Sequence, residues 1–376
     1  MDEINVVIVS SVRPEKSTAA AVTLHRHLVN QRGIRLQVLP AEYHEIVHGS
    51  FHSKIIPRLM RTSARRWAGD IDYLMHTTLP LEKRLPSPPT SARTVVLTVA
   101  YRSGCWVAQR YARRHGVPLV VRFDDWWPDI ADVHNRVRKQ LEQRFLELHR
   151  CADLSLCISE GMLKALGPHR NARVILPIPD VEPIKPLKYK NSIGGFRVGY
   201  SGNMFDYSDM LADLARVAVK QTDVRIEFRG RPRWPQALID EMRHRQLLYD
   251  FEGGAGFDGW LGSFHGYLVV MFFDAAQQRR AETCFATKLV DYSRAGRPVV
   301  IWAPESSAVV RWARKSEAAL CVTDHDARAL LAALVNLKRD RALQLELGTR
   351  MRRAYETEFS PAGLQQQFME ALNSVV

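Results

Sequence analysis

The sequence predicts an α/β protein made of two similar halves, each a parallel sheet covered by helices on both faces. Three observations predict it. Short runs rich in Val, Ile and Leu recur along the chain, separated by stretches of helical spacing; strands buried on both faces have this continuous apolar character. A proline-rich break falls near the middle, and after it the same alternation starts again.

The first half opens with a strand over Ile4–Ser10. A helix over Ala19–Gln31 follows, with Val22, Leu28 and Val29 at helical spacing and Gly33 as its natural stop. Arg35–Leu39 and Val95–Val99 are strands, Cys105–His115 a helix closed by Gly116, and Pro118–Phe123 a strand. A helix over Asn135–Cys151 and a strand over Leu154–Ile158 complete the half. Pro177–Gly195 carries four prolines, two glycines and no periodicity, which marks a linker. The second half alternates strands at Phe196–Tyr200, Val224–Phe228, Tyr267–Phe273, Pro298–Trp302 and Ala319–Val322 with helices at Met210–Gln221, Pro235–Gln246, Thr287–Ala295 and Ser306–Arg314. Asp326–Leu337 and Arg341–Glu358 are closing helices. The expected organisation is a Rossmann-like domain over 1–178, a linker over 179–195, a second Rossmann-like domain over 196–358 and a terminal helix over 359–376. Such sheets bind ligands beyond the carboxyl ends of their strands, so two domains facing across a cleft would offer one wall to each of two substrates.

Composition narrows the function. With 46% hydrophobic and 25% charged residues, the 376-residue chain is neither disordered nor fibrous. Its five cysteines are scattered without zinc spacing, so reduced thiols and no metal site are expected. No apolar run reaches the ~18 residues of a membrane span, and the acidic start followed directly by a strand is unlike a signal peptide; a cytoplasmic protein is expected. The net charge is +13, and it is lopsided: 29 basic and 18 acidic residues precede position 191, against 24 and 22 after it. A basic half implies a polyanionic partner. Zinc fingers, RNP motifs and recognition-helix patterns are absent, which argues against nucleic acid. Lys54–Trp67 places Ile56, Leu59, Met60, Ala64 and Trp67 on one stripe of a basic helix, the pattern of a helix lying on an anionic membrane or of a core-facing helix with a basic outer side.

The most informative stretch is Phe285–Ile301, a loop, a helix, a glycine turn and a strand. Thr287 and Lys288 fall at the helix start, where free N–H groups and the dipole favour an anion. Asp291 follows one turn on, on the same face, and is placed to accept bonds from sugar hydroxyls; a plain surface Lys–Asp pair has the same spacing. Gly202 and Asn203 end the first strand of this half and Arg229 and Gly230 the second, offering close backbone approach, a side-chain donor and a cation to a diphosphate. In the first half, Val120–Asp129 delivers Asp124, Asp125 and Trp126 to a strand end. One carboxylate can deprotonate an acceptor hydroxyl, with Asp124 slightly preferred, and Trp126 can stack on a sugar. Capping by Asp125 or Asp129 is the plainer alternative. Arg13 and Lys16 sit in the first loop, on the acceptor side or simply in solvent.

The 285–301 block resembles the signature of GT-B glycosyltransferases, especially the large retaining family known as glycosyltransferase family 4. Asp291 matches the second of that family's two glutamates. The first would fall at Thr283, with Glu282 one place off, so that acid is missing; branches carrying Pro/Ala-Thr-Lys-Leu-x-Glu-Tyr are closer. Val198–Asn203 is similar to the family's donor-domain opening, and Ala152–Met162 to its strand ending in Ser-Glu. The resemblance implies a GT-B arrangement with acceptor in the first domain and nucleotide sugar in the second. It also implies a last helix crossing back, transfer with retention, and no metal or cofactor beyond the nucleotide-sugar co-substrate. The expected partners are a nucleotide-sugar donor, a glycan or lipid-linked acceptor and an anionic inner membrane face. A nucleotide-sugar epimerase and a non-catalytic nucleotide-sugar binder are the alternatives, ahead of a nucleic-acid-binding protein.

Overall fold

A computed structural model describes residues 3–47, 51–89, 93–181, 184, 195–250 and 255–376. The chain divides into two compact units, Met1–Leu176 with Leu364–Val376, and Pro177–Gly363. Most of the expected linker lies outside the described residues.

In the first unit the chain runs through β1 (Ile4–Val9), α1 (Ala19–Leu28), β2 (Ile34–Leu39), α2 (Tyr43–Ile46), α3 (Phe51–Leu59) and α4 (Arg65–Thr78). It continues through β3 (Thr94–Val99), α5 (Gly104–His115), β4 (Leu119–Phe123), α6 (Trp127–Ile130), α7 (Asn135–Cys151), β5 (Leu154–Cys157), α8 (Glu160–Leu166) and β6 (Ala172–Val174). The parallel sheet has the order β2-β1-β3-β4-β5-β6. β1, β3 and β4 are buried along their whole length, which explains their unbroken apolar sequence. Gly116 closes α5 with φ 62°, and Ser159 caps α8 by accepting from Met162 N at 3.0 Å.

The second unit contains β7 (Phe196–Ser201), α9 (Ser208–Ala218), β8 (Val224–Arg229), α10 (Gln236–His244), β9 (Leu248–Tyr249), α11 (Ala255–Gly262) and β10 (Gly266–Val270). Then come α12 (Gln278–Thr283), α13 (Thr287–Ser293), β11 (Val299–Trp302), α14 (Ala308–Ser316), β12 (Leu320–Val322), α15 (Ala327–Arg339) and α16 (Arg341–Glu356). Its parallel sheet is ordered β12-β11-β10-β7-β8-β9. The order reverses between β7 and β10, so the crevice beyond their carboxyl ends is the switch point where such sheets bind ligands. In the first unit the reversal lies between β1 and β3.

The last helix, α17 (Pro361–Asn373), packs Phe368, Ala371 and Leu372 into the same core as Ile4, Val6, Leu24 and Leu97 of the first unit. Burying side chains of this size contributes about 1.5–3 kcal/mol each for Leu and Phe. His27 of α1 stacks on Phe368 at 4.4 Å and bonds Gln365 Oε1 through Nδ1 at 2.9 Å.

The 54–67 expectation needs correcting. This stretch is not one helix: α3 ends at Leu59 and α4 begins at Arg65. The stripe is therefore split, with Ile56 buried and Trp67 66% exposed. The exposed apolar stripe belongs to α4 instead, where Trp67, Ile71 and Leu74 recur at helical spacing. α4 can lie close to the loop after α6 because Gly69 has no side chain; a Cβ there would stand 2.0 Å from Asp132 O.

Candidate functional site

Three of the residues expected to meet the donor, Gly202, Gly230 and Lys288, come together at the switch point of the second unit. β7 and β8 are paired in register, so Ser201 lies opposite Arg229 and their following turns are adjacent. Gly202 N donates to Arg229 O at 3.0 Å. Gly202 has φ 120°, and a Cβ on it would meet Lys288 Cε at 2.6 Å. A Cβ on Gly230 would meet Gly202 O at 2.6 Å and Met204 Sδ at 2.9 Å. Both glycines therefore keep backbone and lysine in close contact.

Lys288 stands at the first turn of α13 and donates from Nζ to Tyr200 Oη at 2.9 Å. Its ammonium also lies 4.5 Å from the Tyr200 ring centre and 5.4 Å from that of Tyr207. Burial pushes the amine down to about 7, with Asp206 opposing weakly. An ammonium so desolvated gains more from an incoming anion than a solvated lysine would. Burial also drives the Tyr200 hydroxyl well above its usual range, so it stays neutral; its oxygen accepts from Lys288 and donates to Asn203 O at 2.5 Å. Tyr292 Oη accepts from Ser201 N at 2.9 Å and ties α13 to the end of β7.

Asn203 and Arg229 are engaged differently from the sequence picture, while Thr287 and Asp291 lie where it put them. Asn203 is committed to its own turn: Oδ1 accepts from Phe205 N and Asp206 N, and Nδ2 donates to Asp206 Oδ2 at 3.0 Å. Arg229 is buried and lies 4.8 Å over the Trp260 ring. Thr287 is the first residue of α13 and half-buried, and Asp291 is half-buried one turn on. α13 has only seven residues, so its dipole is short and Lys288 supplies most of the positive charge. Where the family signature has its first glutamate, Thr283 is 1% exposed and donates to Arg279 O; Glu282 is half-buried and accepts from Gln278 Nε2 at 2.8 Å.

Several solved structures match the fold over nearly the whole chain. Anabaena HepE in complex with UDP matches with a TM-score of 0.66 at 11% identity, covering 99% of this chain and 100% of that one. Sucrose-phosphate synthase from Thermosynechococcus elongatus gives 0.67 at 11% identity, over 99% and 98%. A glycosyltransferase from Rickettsia africae gives 0.62 at 10% identity, over 100% and 98%. The chain has the GT-B fold. No protein-family model matches it, and no curated protein sequence does.

In the first unit of this GT-B chain, the two strand-end acids sit in different surroundings. Asp124 is 7% exposed and its Oδ1 accepts from Arg122 Nε at 2.7 Å, while Arg122 is itself 1% exposed. Burial pushes the Asp124 carboxyl up, against the pull of Arg122. Asp125 is half-buried. Trp126 is 2% exposed and packs its ring 5.1 Å from Phe145. That corrects its assignment as a sugar-stacking surface, because the ring faces are spent in the core. Arg13 pairs with Glu45 Oε1 of α2 at 2.5 Å, and Lys16 is exposed.

Among the described residues one trio brings possible metal ligands together: Glu42, Asp72 and His76, with atoms within 4.8 Å of one another. The ring nitrogens are engaged. His76 Nε2 lies 3.0 Å from the Tyr43 N–H that donates to it, and Nδ1 lies 2.8 Å from Asp72 O. A cation would have to displace the Tyr43 bond to gain a nitrogen ligand, so the trio is read as a structural cluster that fixes α2 on α4.

Among the residues missed from sequence, Tyr200, Tyr207 and Tyr292 matter most. Tyr200 sits in a strand and Tyr292 in a helix at positions that any core tyrosine could fill. Their contact with Lys288 and Ser201 arises only when β7 and α13 pack.

Proposed function

We propose that the chain is a glycosyltransferase that moves a sugar from a nucleotide-sugar donor to a hydroxyl of a glycan or lipid-linked acceptor. The observation that carries this reading is the convergence of Gly202, Gly230 and the desolvated Lys288 ammonium at the switch point of the second unit. Two glycine turns and one partly desolvated cation together would suit a diphosphate. The charge that grows on the departing nucleoside diphosphate would be met by Lys288, in the role a metal ion plays elsewhere. Asp291 would bond donor hydroxyls. In the first unit, Asp125 would orient the acceptor hydroxyl, with Lys16 and Arg13 nearer the loop end. Retention at the anomeric carbon and metal independence belong to the same proposal. The occurrence of UDP in the HepE structure makes uridine nucleotides the first donors to try.

A panel of nucleotide sugars and their nucleotides tests this by thermal shift, since a ligand that binds only the native state stabilises it by mass action. A rise in Tm with at least one nucleotide sugar, followed by product formation with an acceptor glycan, is expected. No shift with any of them would remove the site. The filled-in position of the family's first acid favours a second reading, a binder without turnover. That protein would show the shift but never release nucleoside diphosphate from its donor.

An anionic membrane face is proposed as the working location. No described helix is long and apolar enough to cross a membrane. α4 presents Trp67 at 66% and Leu74 at 58% exposure, near exposed Arg58, Arg61 and Arg66. Apolar insertion plus basic attraction is the physics of an interfacial helix. The double variant Trp67→Glu/Leu74→Glu is expected to lose at least about tenfold in binding to phosphatidylglycerol vesicles while keeping its Tm. Equal sedimentation of both proteins with these vesicles would reject the surface.

A further inference from the structure

A second site lies at the opposite, amino-terminal end of the second unit's sheet. The amino ends of β10 and β11 and one face of α16 border an open pocket of about 280 Å³. Arg341, Gln344, Leu345, Gly348, Thr349 and Arg352 recur at helical spacing along α16 and form one wall. His265 and Gly296–Pro298 form the other. The approach is close because two glycines meet: a Cβ on Gly348 would stand 2.8 Å from Gly296 O, and one on Gly296 would stand 2.9 Å from Arg352 Nε.

Among the described residues the lining carries Arg297, Arg341 and Arg352 and no carboxylate. Its potential is felt by His265, whose imidazole is held down to about 4 by burial and then by Arg197, Arg297 and Arg341. Nδ1 of that ring accepts from Arg197 N at 3.0 Å, which leaves Nε2 as the protonated nitrogen of the neutral tautomer. Gln344 does not compete for a ligand: Nε2 donates to Leu337 O and Lys338 O, and Oε1 accepts from Arg341. A concave site with three guanidinium groups is suited to phosphate, whose oxygens match the planar fork of arginine.

We propose that this cavity binds a phosphate-bearing anion, distinct from the donor. The site sits at the far end of α13 from Lys288: Lys288 is in its first turn, and Gly296 and Arg297 follow its last. An occupant would therefore rest against the segment that carries the donor-site cation.

The test is calorimetric titration with inorganic pyrophosphate of the wild type, Thr349→Glu and Lys288→Met. Thr349 is exposed on the helix surface, so a glutamate there is compatible with folding and places a carboxylate at the cavity mouth. Wild type is expected to show a saturable event that Thr349→Glu weakens at least tenfold and Lys288→Met retains. The double variant Arg341→Gln/Arg352→Gln should match Thr349→Glu. By NMR, the His265 imidazole should titrate at a higher pH with pyrophosphate present, because the anion offsets the arginines. A Thr349→Glu protein that binds pyrophosphate as wild type does, or a His265 titration that does not move, overturns the proposal. Vesicles containing phosphatidic acid form a second arm: Thr349-dependent binding to them would make the source a lipid headgroup, and its absence beside pyrophosphate binding would make it a soluble phosphate.

Discussion

Lys288→Met is expected to weaken UDP binding by about ten- to a hundredfold, the worth of one charge-assisted hydrogen bond of ~1.5–3 kcal/mol. Methionine keeps the length of the stem beside Tyr200 and Tyr207 and removes only the charge. Stability should hold or rise, because the native state no longer buries an ammonium. The pH dependence gives a sharper reading. With the amine at about 7 in the empty protein, the wild type binds a diphosphate in its charged form below that value. Above it, binding must take up a proton, so affinity should fall by up to about tenfold per pH unit. The folded pKa lies below the unfolded value of 10.5. Between about 7 and that value the unfolded chain holds more protons, so this group makes the unliganded protein more stable as pH rises. Isothermal titration in buffers of different ionisation enthalpy would count the proton. A Lys288→Met protein with unchanged affinity and the same pH profile would separate the lysine from the ligand.

The paired turns provide the second large effect, and the two glycines should fail differently. In Gly230→Ala the new methyl meets the backbone oxygen of Gly202, which cannot swing away. A cost of about 2–3 kcal/mol is expected, read as a Tm lower by roughly 5–10 °C for a unit of this size. In Gly202→Ala the methyl meets the end of the Lys288 side chain, although φ 120° adds strain. Stability should fall less, while nucleotide affinity falls about tenfold or more because the ammonium is displaced. Chemical denaturation and UDP titration of both variants check the pattern. Equal losses of stability with unchanged UDP affinity would mean that the turns serve the fold alone.

Much of the fold was legible because parallel strands are buried on both faces. Ile4–Val9, Thr94–Val99 and Val299–Trp302 could be read directly from continuous apolar runs, and Gly116 marked a helix end by local chemistry. Short or exposed elements were not legible: β9 has two residues and β6 three, too few for a period. The 54–67 region misled because helical spacing was carried across Met60–Ala64, where no proline or glycine announces the break. Trp126 misled for a related reason, since sequence shows an aromatic ring at a strand end but not which neighbour covers it.

The sequence alone determined the strand-and-helix alternation, its restart after the proline-rich break, and the set of residues at the strand ends. These follow from backbone hydrogen bonding and from burial of each strand on both faces, which act over a few residues at a time. Tertiary structure decided what those residues became. It enclosed Lys288 between tyrosines, locked Asn203 into its own loop, buried Asp124 on Arg122 and turned Trp126 inward. Charge and burial depend on neighbours brought from distant parts of the chain, so the residue that holds a perturbed proton is known only after β7, β8 and α13 have packed together.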